Sequence, residues 1–197
     1  MSKRGDDPKR AFLRSLQERH PGFREAVLAD ARMTALHRGE RNEFRSTLDA
    51  AVQVLRLCWV SDAFAAQVLY RLKASLQARG VPVVPRIAHR LAMMLAQVSI
   101  GDPVIVQPGV YIIHGQIVID GLVEVGPGAV IGPWVTIGLR AGNVQGATLE
   151  RDVQIGTGTK VIGPVRIGAG ARVGANAVVV ADVAPGATVV GVPAGEA

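Results

Sequence analysis

Val153-Gln154-Ile155-Gly156-Thr157-Gly158-Thr159-Lys160-Val161-Ile162-Gly163-Pro164-Val165-Arg166-Ile167-Gly168-Ala169-Gly170-Ala171-Arg172-Val173 repeats its pattern every six residues. Ile155, Val161, Ile167 and Val173 are aliphatic, and four places after each comes Thr159, Val165, Ala171 or Ala177. Followed outward, the sixth-residue register runs from Ile113 to Val179 with one break, at Asn143. A period of six fits neither a helix nor a single strand; it describes a short strand, a corner and another short strand, repeated. One such unit cannot bury its apolar face, so the units stack into a solenoid around a continuous core. Gly126, Gly132, Gly138, Gly156, Gly168 and Gly174 directly follow their aliphatic residues, and Pro127 and Pro133 come next. These residues supply the backbone angles of tight corners. A Gly/Val-rich β-sandwich would instead alternate with period two over longer runs.

The rest of the chain differs in kind. Of the 23 glycines, only Gly5, Gly22, Gly39 and Gly80 precede residue 99. The first part reads as helices: residues 8–19 with Pro8 in the first turn, Phe23 to His37, a helix capped by Ser46 or Thr47, one opened by Ser61-Asp62 and running through Leu76, and Arg86 to Val98 after a linker at Val81–Pro85. The Met93-Met94 pair reads as core filler. The expected architecture is α+β, an α-helical domain over residues 1–98 followed by a hexapeptide-repeat domain over 99–197. Around residues 138–148 the expectation is an excursion loop from the solenoid, in preference to an ordinary rung with a polar residue at Asn143.

The 197 residues are 49% hydrophobic but only 4% aromatic, which suits a narrow interior of Val, Ile and Ala. The net charge of +6 comes entirely from the part before residue 99, as arginines spread over helices. No RNA module, zinc finger or basic zipper accompanies them, so no nucleic-acid partner is expected; an acidic partner or the phosphates of a ligand stay open. Cys58 is the only cysteine and reads as a small buried hydrophobe in a reducing compartment. The polar start and the lack of an apolar run near about 20 residues predict a soluble, cytoplasmic protein without a membrane partner.

The hexads, the helical leader, the segment Gly109-Val110-Tyr111-Ile112-Ile113-His114-Gly115 and the close from Gly174 to Ala194 resemble the serine O-acetyltransferases. These are hexapeptide-repeat acyltransferases, and the resemblance implies a left-handed parallel β-helix. It covers roughly residues 45–194. It implies acetyl-CoA as co-substrate, no metal, and direct transfer to an acceptor hydroxyl with His114 as general base. A base with a pKa near neutrality suits that task, because a hydroxyl is a poor nucleophile until its proton is removed during attack. His20, His37 and His89 read as ordinary helix residues. The resemblance also implies cofactor contacts at Gly138, Gly156, Thr157, Gly158 and Lys160, with Arg172 a further phosphate contact. It implies a site between subunits. We expect a homotrimer, with the helical leader pairing trimers as a further possibility.

Several family positions differ. Ser99 stands where the family has the aspartate that orients the base, Ile113 where it has an acidic substrate contact, and Gln145-Gly146-Ala147 where it has an Arg-His-Pro segment. Arg140, Asn143 and Trp134 are therefore the substrate-binding candidates in this chain, with Asp120, Glu124 and Tyr111 as neighbours of His114 in sequence. Three functions remain: acetyl transfer to serine, acyl transfer to another hydroxyl such as a sugar or natural-product intermediate, and a catalytically weak scaffold.

Overall fold

The computed structural model describes residue 12 and residues 15–196. Of the expected first helix, residues 15–18 are helical, while residues 8–11, 13 and 14 lie outside the described residues. Four helices follow: α1 (Phe23–His37), α2 (Thr47–Val60), α3 (Asp62–Ala78) and α4 (Val84–Ala96). Ser46 caps α2 by accepting from Asp49 N, and Ser61 caps α3 by accepting from Phe64 N. With Ser61 the only residue between them, α2 and α3 are bent by 119°.

The last helix begins earlier than the sequence predicts. Val84 and Pro85 belong to it, because a proline in the first turn lacks only an N–H that has no helical partner there. It also ends earlier, at Ala96, and Val98 is already a strand residue. Its buried face is Ala88, Ala92 and Ala96, so Met93 and Met94 point outward at 45% and 79% exposure and are not core filler. Cys58 is half-buried against the small cluster of Val27, Ala31, Leu57 and Phe64, and burial pushes its thiol pKa up.

The remainder winds into the left-handed parallel β-helix. Three parallel sheets form its sides. The first contains β1 (Val98–Ile100), β4 (Ile117–Ile119), β7 (Thr136–Gly138), β10 (Lys160–Ile162) and β13 (Val178–Val179). The second contains β2 (Ile105–Val106), β5 (Leu122–Val125), β8 (Gln145–Leu149) and β11 (Arg166–Ile167). The third contains β3 (Tyr111–Ile112), β6 (Val130–Ile131), β9 (Gln154–Ile155), β12 (Arg172–Val173) and β14 (Thr188–Val190). A final antiparallel strand, β15 (Gly195–Glu196), folds back on β14.

From Ile117 onward both hexad registers point inward, but the expected start at Ile113 fails. Ile113 is only half-buried on the cavity wall, and Ile112 is buried and pairs with Ile131 in its place, because the corner after β3 holds one extra residue. Ile119, Ile131, Ile137, Leu149, Ile155 and Ile167 are each at most 2% exposed, and burying one such side chain contributes about 1.5–3 kcal/mol. Thr159 is the polar member of the second register; its hydroxyl donates to Gly174 O at 3.1 Å. The registers fail together at Ala141 and Asn143, both exposed, where residues 139–144 join β7 to β8. On the preceding coil the same junction, β4 to β5, takes only Asp120 and Gly121.

The helices close the open end of this solenoid. The first coil has no preceding coil to satisfy its backbone, and polar side chains of α3 take that place. Tyr70 Oη donates to Val104 O at 2.7 Å, Gln67 Nε2 to Val110 O at 3.0 Å and Lys73 Nζ to Ile100 O at 2.6 Å. Arg71 donates to Val106 O and, at 2.8 Å, to Gln107 O. It also forms a buried ion pair with Asp30 of α1, whose Oδ1 accepts from Gly109 N and Val110 N.

His20 lies beside this lid, its ring centroid 6.4 Å from that of Tyr70. Its Nδ1 is buried without a partner among the described residues. Burial, and then the charges of Arg71, Lys73 and Arg19, lower its pKa. The neutral ring is therefore the folded form, and the unfolded chain binds the proton more readily. Its contribution is complete above the unfolded value near 6.5 and is lost as pH falls below that towards the lowered folded value. We expect the thermal midpoint to drop between pH 7.5 and 5.5, and to drop less in His20→Phe. An equal drop in the variant would assign the acid sensitivity elsewhere, His89 being the other histidine that burial lowers.

Candidate functional site

The corner between the third and first sheets carries the site candidates. Successive coils cross it at His114-Gly115-Gln116, Gly132-Pro133-Trp134, Gly156-Thr157-Gly158 and Gly174-Ala175-Asn176. Backbone bonds stack them: Gly158 N donates to Pro133 O and Asn176 N to Thr157 O, both at 2.8 Å. The third residue of each has positive φ, 57° at Gln116, 57° at Trp134, 75° at Gly158 and 57° at Asn176. Trp134 is thus held outward at 58% exposure by the corner itself. Lys160, at the start of β10, donates from Nζ to Trp134 O at 2.6 Å and is tied to the same column.

His114 is exposed at the rim of a cavity of about 550 Å³. The solenoid contributes Tyr111, Ile113, the His114 corner and Trp134. The helices supply the opposite walls: Arg38 at the end of α1, the elbow from Val60 to Ala63, and Leu95 and Ala96 at the end of α4. Two contacts bring these walls in. His37 stacks on Tyr111 with ring centroids 4.4 Å apart, which delivers Arg38. Gln116 N donates to Ala96 O at 2.8 Å, which docks α4 on the His114 corner. A Cβ on Gly115 would lie 1.8 Å from Ala96 O, so only glycine admits that approach.

The sequence candidates separate in this geometry. His114 and Trp134 line one cavity, and Tyr111 joins them. Arg140 and Asn143 are exposed on the 139–144 connection, which is not part of that cavity within one chain. Asn143 Oδ1 accepts from Gln145 N at 2.8 Å, a local turn contact. Glu124 pairs with Arg19 and accepts from Gln107, on another side of the solenoid. Asp120 is exposed after β4, and Ser99 lies within β1; neither lines the cavity. Arg38, Ser61, Asp62 and Gln116 are the polar wall residues that sequence reasoning did not single out. Ser61-Asp62 was legible only as a helix start.

The glycines along the column have different causes. At Gly132 and Gly156 a Cβ would meet the next coil's backbone at 2.8 and 2.7 Å, so coil stacking alone demands glycine there. At Gly158 it would meet Asn176 Oδ1 at 2.0 Å. At Gly138 it would make only ordinary contacts, 3.7 Å to Thr136 and 3.9 Å to Ile162. Packing does not require glycine at that position, which pairs with Ile162. An exposed imidazole and a cavity with one cation and one anion in its walls, at the head of a column of stacked corners, suit proton abstraction from a small polar acceptor. Among the described residues no cluster of three or more His, Cys, Asp or Glu side chains is placed to hold a metal, and no single helix is long and apolar enough to cross a membrane.

Residues 146–181 match the family described as bacterial transferase hexapeptide (six repeats). The chain is 37% identical over 165 residues to a serine acetyltransferase of Mycobacterium tuberculosis, covering 82% of this chain and 71% of that one. It is 36% identical over 141 residues to a serine acetyltransferase of Synechococcus elongatus, covering 70% of this chain and 57% of that one. The soybean serine acetyltransferase complexed with serine superposes with a TM-score of 0.73 at 26% identity, over 90% of this chain and 70% of the soybean chain.

Proposed function

The chain belongs to the serine acetyltransferase family of acyltransferases, and from that premise we propose that it transfers acetyl from acetyl-CoA directly to the hydroxyl of serine, with His114 as general base. The observation that carries the reading is His114 standing exposed at the mouth of a cavity at the head of the small-residue column. The imidazole takes the hydroxyl proton as the oxygen attacks the thioester carbonyl. The tetrahedral oxyanion collapses by breaking the C–S bond, and the CoA thiolate leaves with the proton returned by the imidazolium. Glycine-rich corners offer backbone N–H groups to the oxyanion. Gly138, the Gly156-Thr157-Gly158 corner and Lys160 receive the CoA arm, with the Lys160 ammonium available to its phosphates.

A homotrimer brings Arg140 and Asn143 of a neighbouring copy towards the His114 cavity. Trimers then pair through the helices, because α2 presents Leu48, Val52, Leu55 and Trp59 along one stripe, with Leu48 76%, Leu55 71% and Trp59 88% exposed. We expect Leu55→Asp combined with Trp59→Glu to halve the mass in light scattering without lowering the thermal midpoint. An unchanged mass removes this stripe from the assembly. The cytoplasm, where acetyl-CoA is made and used and a lone cysteine stays reduced, is the compartment that fits.

The test is CoA release from acetyl-CoA with serine as acceptor. Thiol appearing in step with O-acetylserine supports the reading. Turnover with sugars but not serine would move the acceptor to another class.

A further inference from the structure

The His114 cavity carries one charge of each sign in its walls. Asp62 and Arg38 line it from the helical side, in the same cavity as the imidazole. Asp62 is the first residue of α3, fixed by the Ser61 cap at the elbow. Among the described residues it enters no ion pair. Arg38 is held by His37 stacking on Tyr111 and by Glu40, which takes only its Nε, at 2.9 Å. Glu40 is shared with Arg56, so the trio keeps a net positive charge and the Nη groups of Arg38 have no partner among the described residues. A cation and an anion in the walls of one cavity match a zwitterion, which neither a sugar nor a simple alcohol offers.

We propose that Arg38 and Asp62 bind the α-carboxylate and α-ammonium of an amino-acid acceptor and so turn its side-chain hydroxyl towards His114, an inference that rests on the acetyl-transfer reading of this cavity. The helical leader then sets acceptor specificity as well as capping the solenoid. The two substrate groups act before and during the reaction alike, so their loss is read in KM more than in kcat.

The experiment uses the full-length chain, Asp62→Asn and Arg38→Gln, with thermal midpoints to establish folding. Serine KM should rise roughly 10- to 100-fold in each, the range for losing a charge-assisted hydrogen bond, with kcat within a few-fold and the KM for acetyl-CoA unchanged. Two truncated acceptors assign the groups: 3-hydroxypropanoate lacks the ammonium and ethanolamine lacks the carboxylate. Asp62→Asn should narrow the preference for serine over 3-hydroxypropanoate, and Arg38→Gln the preference for serine over ethanolamine. Titration calorimetry with serine alone reads the same binding without chemistry. Wild-type turnover with serine KM unchanged in both variants overturns the inference and leaves acetyl transfer standing. A fall in kcat at constant KM in Asp62→Asn also overturns it, by assigning that carboxylate to the imidazole. Serine binding that weakens in both variants, in a protein without turnover, supports the inference and removes the acetyl-transfer reading.

Discussion

Replacing His114 with alanine lowers the rate of CoA release about 10²- to 10⁴-fold, the contribution expected of one positioned general base. The fold should be untouched. The ring is exposed, and the adjoining corner is held by Gly115 and by Gln116 N on Ala96 O, none of which involves the imidazole. The KM for acetyl-CoA should stay the same, because the proposed pantetheine groove runs along later coils. Steady-state kinetics with a thiol reagent measure both parameters. A variant within about tenfold of wild type would exclude His114 as the base, since a positioned general base typically contributes about 10²-fold or more.

The second large effect concerns stability. Arg71→Ala should destabilise the chain by about 3–5 kcal/mol, because it leaves the Asp30 carboxylate buried without its cation. It also strips Val106 O and Gln107 O of their donors at the edge of the solenoid. Arg71→Lys should recover only part of this, since a single ammonium cannot replace a fork that reaches Asp30 and two carbonyls at once. Urea unfolding at fixed protein concentration measures the change. A loss under about 1 kcal/mol, the size typical of an exposed pair, would mean that the helical lid does not secure the first coil.

The solenoid was legible because a six-residue register writes its core directly into the sequence, and the failure at Asn143 marked where the chain leaves the wall. The starts of α2 and α3 were legible through Ser46 and Ser61, whose side chains do the capping. The lid was not. Gln67 and Tyr70 have backbone carbonyls as partners, which carry no residue identity that a sequence displays, and Arg71 and Lys73 add carboxylates, Asp30 and Asp102, that lie far away in the sequence. Met93 and Met94 misled because the inward face of α4 is alanine, chosen for close approach to the coils and not for bulk. At the site, Trp134 could be placed by counting hexads, whereas the count slips by one residue in the corner that carries His114. Arg38 and Asp62 arrive through the stacking of His37 on Tyr111 and the elbow at Ser61, contacts between distant segments with no local pattern.

The positive-φ step at the site corner accommodates Gln116, Trp134, Gly158 and Asn176 on one backbone path. Three unlike side chains and one glycine share this step, at a local cost of about 1–2 kcal/mol for a non-glycine residue, and only at Gly158 does the next coil, through Asn176, crowd out a Cβ. Of the four, Gln116 and Trp134 line the His114 cavity, so the wall of the site can change at these two corners while the aliphatic interior that specifies the coil stays as it is.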